Sequence, residues 1–347
     1  MNEPEIIFEE TNPYETFAVS LENDGRTIYL YISPLKDASE QPKAVWVRNL
    51  LPAPPETDRQ SMKDGTAPLL KKDSCNHPEG LKTIDADKIG ILWFQEGNGA
   101  VLYFDDEVEV VIPPWSGTGG IFGYAKNCTS PDAGTVPLDK NNTGLFDRIR
   151  ENEQFWENRN SPDYWSSFRD RLLSHYEKTY GKHTRYYALT GRKYPMAGIV
   201  EFENDSGFTY ATLGMSFQNM PGVELHTKDA APLVRTEIIT RRSVMEEDIP
   251  GLLGRMAVFP WLYNRHLSHL HTYESGMTRP YMDFLLVNDF PETFLSKPDE
   301  FIFEDHKINF LMAVPLHQED KLVMKARGND FVWKKFKEKA VPEYRWP

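Results

Sequence analysis

Three histidines in one short segment are the residues whose spacing most suggests chemistry. His266, His269 and His271 form the pattern H-x-x-H-x-H, and Glu274 or Asp283 could supply a fourth ligand. Imidazole and carboxylate groups are common ligands of transition metals. However, no established zinc motif has this spacing, and apolar residues lie between the histidines. Hydrogen-bonded histidines near the end of a helix are the favoured interpretation, and no metal site is predicted.

A serine in the same half of the chain nearly matches a known nucleophile motif. The segment 214–218, GMSFQ, resembles the G-x-S-x-G elbow and follows the apolar run FTYATL. The elbow needs a second small residue so that the strand-to-helix turn can close, and Gln218 occupies that position. Asn-Met-Pro-Gly follows in place of a helix. We therefore predict a strand that runs into a loop, with Ser216 outside any catalytic arrangement.

A glycine-rich segment invites a nucleotide-binding interpretation. Residues 117–123 read GTGGIFG, and the fingerprint G-x-G-x-x-G would need glycine where Phe122 stands. A helix should also open directly behind such a loop, so that its N-terminus can hold phosphate. The sequence that follows, GYAKNCTSPDAGTVP, is not helical. The segment is predicted to be a bend after a strand, and no cofactor is expected.

Two charged clusters also have structural explanations. Glu246, Glu247 and Asp248 stand just before a predicted helix, where negative charge favours the N-terminal dipole. Near the C-terminus, residues 334–339 read KKFKEK and lie among aromatic residues, which indicates a solvated face over a packed aromatic stripe. Capping and solvation are the favoured roles. No catalytic, cofactor-binding or metal residue is predicted, and the chain is not expected to be an enzyme.

The two cysteines and the N-terminus bear on the cellular compartment. Cys75 and Cys128 make neither a zinc spacing nor a disulfide framework. The start of the chain, MNEPEIIFEE, is acidic and lacks the basic and apolar regions of a signal peptide. The longest apolar runs are too short to cross a bilayer. We expect a cytoplasmic protein without membrane association.

The acidity of the chain is unevenly distributed. Residues 1–160 contain 15 Lys and Arg against 27 Asp and Glu, for a net charge of −12, whereas residues 161–347 have a net charge of −1. Such a field repels nucleic acid and attracts basic proteins. A solubilising surface is the simpler interpretation of the same charge. Nucleic-acid binding is not expected.

The elements that must position these residues are recognisable from periodicity. Residues 15–32 are predicted to be a β-hairpin, 43–47 a strand, 52–80 a long mobile loop, and 89–115 a three-stranded meander. Helices are expected over 143–180, 248–263 and 329–339, and strands over 185–240, 281–287 and 308–316. The predicted class is α+β, with an acidic lobe at 1–160 and a second lobe at 161–347. The role of residues 1–80 is not predicted.

Several of these segments together resemble a known family. The stretch 186–225, YYALTGRKYPMAGIVEFENDSGFTYATLGMSFQNMPGVEL, with RTEII at 235–239 and INFLMAVPLHQED at 308–320, is similar to the bacterial Suppressor-of-fused (SUFU) domain family. The segments IGILWFQEGNGAVLYF, VIPPWSGTGGIFGYAKNC and NEQFWEN extend the resemblance to about residues 85–320. It implies two lobes with a cleft. The animal member grips a peptide there as an added strand, and many bacterial members are thought to be immunity proteins of toxin systems.

The leading hypothesis is therefore a cytoplasmic immunity protein that neutralises a toxin domain, such as a basic one, by covering its active site. The alternative is a peptide-binding adaptor that holds an extended segment between its lobes. A metal-dependent enzyme using His266, His269 and His271 is a third class. The partner, the interface residues and the oligomeric state are not predicted from the sequence.

Overall fold

The chain divides into two compact units. The computed structural model describes residues 3–36, 40–189, 195–204, 207–243, 245, 247–277 and 282–338. One unit comprises Met1–Asn160 and the other Ser161–Pro347. Both units combine largely antiparallel sheets with packed helices, and the α+β class predicted from the sequence is confirmed.

The first unit is built from two sheets and two helices. A four-stranded antiparallel sheet has the order β1-β2-β3-β4, and a five-stranded sheet has the order β5-β6-β7-β8-β9. The elements are β1 Glu5–Thr11, β2 Phe17–Asn23, β3 Thr27–Pro34, β4 Lys43–Asn49, α1 Arg59–Lys63, β5 Ile89–Trp93, β6 Ala100–Phe104, β7 Glu107–Ile112, β8 Gly123–Ala125, β9 Thr135–Pro137 and α2 Thr143–Arg159.

The hairpin expected near the N-terminus is present as β2 and β3. Asn23 accepts a hydrogen bond through Oδ1 from the backbone N–H of Gly25 at 2.8 Å, and Gly25 has a φ of 81°. This left-handed conformation is readily available to glycine, which explains why the turn forms here. The strand at 43–47 and the meander at 89–115 are also confirmed.

The sequence did not predict β1, β8 or β9, and the segment 52–80 differs from expectation. It contains α1 and is fastened to the sheets by specific hydrogen bonds. Arg26 donates to the Ser61 hydroxyl at 3.1 Å and to the Ala67 carbonyl at 2.7 Å. The Asn49 side chain donates to the backbone carbonyl of Leu70, and the Leu70 side chain is fully buried in the core. Hydrogen bonds from side chains outside the segment therefore hold it in place, and its own sequence has no periodicity that would predict a regular element.

The second unit is organised around one seven-stranded sheet of order β10-β11-β12-β13-β18-β15-β14. Only β13 and β18 pair in parallel among the described strands of this sheet. The elements of the unit are α3 Pro162–Tyr180, β10 His183–Ala188, β11 Gly198–Asn204, β12 Gly207–Leu213, β13 Thr236–Arg242, α4 Asp248–Tyr263, β14 Thr272–Tyr273, β15 Asp283–Val287, β16 Ile302–Phe303, β17 His306–Lys307, β18 Asn309–Leu316, α5 Gln318–Arg327 and α6 Asn329–Glu338.

Helices cover both faces of this sheet. Side chains of α3, α5 and α6 join one buried cluster with alternate residues of the central strands, including Val200, Ile239 and Met312. Helix α4 contacts β11, β12 and β13. Successive residues of a strand point to opposite faces of the sheet. Helix α4 therefore packs on the face opposite to α3, α5 and α6, against the strand residues that alternate with those of the first cluster. The central strands are therefore buried on both faces, which explains the nearly continuous apolar sequences of β15 and β18.

The helix ends differ in detail from the sequence prediction. Ser161 occupies the N-cap of α3 with Pro162 at the first position, but the Ser161 side chain makes no capping hydrogen bond. Glu247, rather than Asp248, is the N-cap residue of α4, and Asp248 lies in the first turn. Glu246 and Lys339 lie outside the described residues. Helix α5 was not predicted. No helix in the described part of the chain is long and apolar enough to cross a membrane.

Candidate functional site

The serine of the near-miss motif lies in a buried turn. After β12, residues Met215–Phe217 form a single 3-10 turn that opens at Gly214, which has a φ of 115°. Ser216 is completely buried, and its hydroxyl donates to Oε1 of Glu237 at 2.6 Å. The strand-to-helix geometry of a nucleophile elbow is replaced by a turn followed by an extended segment.

Glu237 organises this turn from the neighbouring strand β13. Its Oε1 also accepts the backbone N–H groups of Gly214 and Ser216, both at 2.9 Å, and Oε2 accepts the Thr212 hydroxyl. Burial raises the pKa of the Glu237 carboxyl, and the four hydrogen bonds oppose that shift. The carboxyl group supplies acceptors to two backbone donors that the turn itself cannot satisfy.

Two further buried side chains hold the same segment. Arg235 donates through Nη1 to the carbonyls of Ser216 and Phe217, at 3.3 and 3.0 Å. Trp261 of α4 donates through its indole N–H to the carbonyl of Asn219 at 3.0 Å. The segment is thus fixed from β13 and α4. Sequence reasoning missed these partners, although the polar residues Arg235 and Glu237 beside the apolar pair Ile238 and Ile239 were a visible signal.

The structure brings together two histidines of the H-x-x-H-x-H pattern, His266 and His271, and leaves His269 apart. The ring of His266 lies 4.8 Å from that of His271 and 4.6 Å from that of His226, measured between centroids. His269 points elsewhere, and its Nδ1 accepts the backbone N–H of Asn288 at 3.2 Å. Sequence spacing did not indicate that His226 joins the group. It comes from a turn more than thirty residues away and is brought there by the fold.

Burial disfavours protonation of His266, His269 and His271 in the folded chain. Burial lowers the pKa of His266 to about 4, and the neighbouring His271 and His226 rings add to the shift. Burial also lowers the pKa of His271 and of His269. Within the described residues, no group of three or more His, Cys, Asp or Glu side chains is arranged to hold a metal ion. The site is therefore a group of closely packed imidazole rings with His266 at its centre.

The glycine-rich segment forms a bend, as the sequence indicated. Gly117, Gly119 and Gly120 have φ values of 98°, 63° and 77°, and strand β8 begins at Gly123. Because a strand follows in place of a helix, the loop lacks the helix N-terminus that a dinucleotide fingerprint requires.

The C-terminal helix also matches its predicted arrangement. Trp333 and Phe336 are buried in the core of the second unit, while lysines of the opposite face pair with acidic side chains. Lys337 contacts Asp289 at 2.8 Å, and Lys334 contacts Asp330 at 2.6 Å. The basic residues therefore form a solvated face over a packed aromatic stripe.

The four-stranded sheet ends in an acidic edge strand. In β1, the side chains of Glu5, Ile6, Glu9, Glu10 and Thr11 are exposed, while Ile7 and Phe8 pack against the core of the first unit. Asn12, the next residue, donates its backbone N–H to Phe17 at 2.9 Å. Along an antiparallel strand, the backbone N–H and C=O groups of successive residues point alternately towards the neighbouring strand and away from it. Since Asn12 is bonded towards β2, the backbone groups of Glu9 and Thr11 point away from β2, to the open side of the sheet.

The seven-stranded sheet ends in a second exposed edge strand, β10. Leu189, which follows it, donates its backbone N–H to the Ala197 carbonyl at 3.2 Å. The backbone N–H and C=O groups of Arg185 and Tyr187 therefore point towards β11, and those of Tyr186 and Ala188 point away from it. No strand among the described residues pairs with the outer side of β10. An unpaired strand edge offers backbone hydrogen bonds to another extended chain.

Comparison with known proteins finds a family match within the second unit. Residues 193–346 match the family described as Suppressor of fused protein (SUFU). A SUFU homolog from Neisseria gonorrhoeae FA 1090 is similar with 14% identity over 51% of this chain and 92% of that chain, at a TM-score of 0.39. The Sufu-Fu complex structure is similar with 11% identity over 48% of this chain and 82% of that chain, at a TM-score of 0.34. No curated protein matches the chain.

The family match begins at residue 193, and the resemblance read over residues 85–192 stays a prediction. Within the match lie the turn at Gly214, the strand of Glu237 and the histidine group. The resemblance inferred from the sequence is thus confirmed as a family match over residues 193–346.

Proposed function

We propose that this chain is a protein-binding protein without catalytic activity, and more specifically an immunity protein that neutralises a basic toxin domain by covering its active site. One observation carries the proposal. The acidic half of the sequence folds as a separate unit, and strand β1 at the edge of its four-stranded sheet bears exposed glutamates. An edge of this kind combines backbone hydrogen-bonding groups with negative charge.

The proposed recognition has two steps. The net charge of −12 on residues 1–160 attracts a basic partner and raises the association rate at low ionic strength. An extended segment of the partner then pairs with the open side of β1, where the backbone of Glu9 and Thr11 is available. Glu5 and Glu9 lie beside that segment and favour lysine and arginine in it. Neutralisation follows because the docked surface occludes the toxin's active site.

Co-expression with the toxin domain encoded beside this gene tests the proposal. Growth should be rescued by the wild-type chain and lost with the double charge reversal Glu5→Lys and Glu9→Lys. The matched control reverses Glu292 and Glu338, two exposed acidic residues of the second unit, and should still rescue growth. Absence of rescue by the wild type, with no complex formed, contradicts the proposal.

A second candidate function is a peptide-binding adaptor, and the open edge of β10 favours it. Short unfolded peptides would add as a strand there, and affinity would come from main-chain hydrogen bonds. Ala188→Pro removes an outward-facing donor and should weaken peptide binding on an array, whereas Ala188→Thr keeps the donor and should not. A chain that binds one folded toxin tightly and no peptide is an immunity protein and not an adaptor.

The third class, a metal-dependent enzyme, loses its proposed ligand set because His269 lies apart from His266 and His271. Elemental analysis of the purified protein checks this directly. Stoichiometric zinc, iron or manganese would restore the enzyme hypothesis.

A further inference from the structure

The fold brings the two cysteines of the chain face to face. Cys75 and Cys128 lie 53 positions apart in the sequence and form an isolated antiparallel bridge. Asn76 donates its backbone N–H to the Asn127 carbonyl at 2.9 Å, and Thr129 donates to the Ser74 carbonyl at 3.0 Å. These two hydrogen bonds flank the cysteines on either side. Cys75 and Cys128 are therefore a non-hydrogen-bonded cross-strand pair.

This type of pair brings side chains close together. The Cα atoms of directly opposed residues at such a position are about 4.5 Å apart, and their side chains project to the same side of the two strands. A disulfide needs a Cα separation of roughly 4.4–6.8 Å. Both thiols are free in this structure, and both side chains belong to the buried core of the first unit. The backbone already has the geometry that a disulfide requires.

The surrounding contacts fix the two segments in this register. The hydroxyls of Ser74 and Ser130 are 2.8 Å apart, and Asp132 accepts from the Thr57 hydroxyl at 2.7 Å and from the backbone N–H of Lys71 at 3.0 Å. These hydrogen bonds tie the 52–80 segment to the loop between β8 and β9. Bridging the cysteines would thus require little movement of the backbone.

We propose that Cys75 and Cys128 are a redox pair that closes a cross-strand disulfide when a low-molecular-weight disulfide, such as oxidised glutathione, is the oxidant. The Cys75 thiolate attacks the small disulfide, forms a mixed disulfide and releases one thiolate. The Cys128 thiolate then attacks the Cys75 sulfur and releases the second. Two electrons pass from the protein to the oxidant, and the two protons of the cysteine thiols end on the two released thiols.

The reduced pair is protected from rapid reaction. Cys128 donates its thiol proton to the Ser130 carbonyl at 3.2 Å. Burial raises the pKa of the Cys128 thiol to about 12 and also raises that of Cys75. Since the thiolate is the nucleophile, reaction proceeds through local opening of the 52–80 segment. Once formed, the disulfide fastens this segment covalently to the five-stranded sheet, so the redox state controls the stability of the acidic unit.

The test compares disulfide formation in the folded and the unfolded chain. Wild-type protein is equilibrated with reduced and oxidised glutathione in native buffer and in denaturing urea, quenched with acid, alkylated and analysed by mass spectrometry. By thermodynamic linkage, the factor by which the disulfide stabilises the folded chain equals the factor by which folding raises the equilibrium constant for disulfide formation. Closure of a loop of this length predicts a preference of up to roughly a thousandfold over the unfolded chain. A preference above about tenfold supports the proposal.

Three results would overturn it: a native preference below about tenfold, mixed glutathione disulfides without the internal bond, or disulfide-linked dimers. Cys75→Ser and Cys128→Ser serve as controls, since each leaves one thiol that cannot form the internal disulfide. Because the decisive ratio comes from the wild-type chain, it does not depend on whether these variants fold. The readout is independent of partner binding, so its failure would leave the proposed function untouched.

Discussion

Replacing Glu237 should destabilise the second unit through the donors it leaves behind. Its carboxyl group accepts four hydrogen bonds, from the hydroxyls of Thr212 and Ser216 and from the backbone N–H groups of Gly214 and Ser216. In Glu237→Ala the hydroxyls can rotate toward other acceptors, but the two backbone donors are fixed by the turn. Both belong to buried residues.

The magnitude follows from those two stranded donors. An unsatisfied buried donor costs about 1–3 kcal/mol, so the pair predicts a loss of about 4 kcal/mol in the free energy of unfolding. Glu237→Gln is the informative comparison. Its amide oxygen can still accept the three donors that now reach Oε1, and its amide N–H₂ can donate to the Thr212 hydroxyl. We expect a cost of about 1 kcal/mol for this variant.

Urea unfolding of the two variants and the wild type measures these differences, and amide hydrogen exchange at Gly214 and Ser216 locates them. The Ala variant should lose protection at both amides, while the Gln variant should retain most of it. A cost below about 1 kcal/mol for Glu237→Ala, or equal costs for the two variants, would refute the reasoning that the carboxyl group holds the turn.

Two further predictions concern the same unit. Because burial lowers the pKa of His266 from 6.5 to about 4, the folded chain is fully stabilised above pH 6.5 and loses stability as the pH falls towards 4. With a discount for partial exposure, unfolding should become easier by about 1 kcal/mol between pH 7 and pH 5, and His266→Gln should flatten this dependence in urea titrations; equal slopes contradict it. Gly207 has a φ of 114°, and a Cβ there would lie 2.3 Å from the Arg242 carbonyl oxygen. Gly207→Ala should lower the free energy of unfolding by at least about 2 kcal/mol. In the same urea titration, Gly251→Ala, at an open helical position, should be neutral or stabilising.

Strong local patterns predicted most of the regular elements. The apolar residues of α2, α3 and α4 recur at helical spacing, and those of the hairpin and meander follow strand patterns, so their burial fixes both type and position. Strand β1 was missed because its sequence, EIIFEET, is that of an exposed edge with only two packed residues. Helix α5 was missed for a similar reason, since Met324 is its only buried residue.

The sites depended on contacts that no local pattern records. Ser216 and Glu237 lie 21 positions apart, and adjacent strands bring them together. The opposed cysteines are separated by the whole meander, so their spacing gave no sign of pairing. In the histidine group, a neighbour in sequence, His269, is turned away, while the distant His226 is brought in. Sequence spacing predicts proximity only within one element, and here the chain turns between the residues concerned.

The most direct test of the central claim is a calorimetric titration of the purified chain with its proposed partner, a basic toxin domain, at low and at physiological salt. The proposal predicts one-to-one binding that weakens with salt, and an affinity reduced at least about tenfold by the Glu5→Lys and Glu9→Lys reversal but unchanged by the control reversal of Glu292 and Glu338. No binding, or binding that is insensitive to both salt and the β1 reversal, would contradict recognition through the acidic unit.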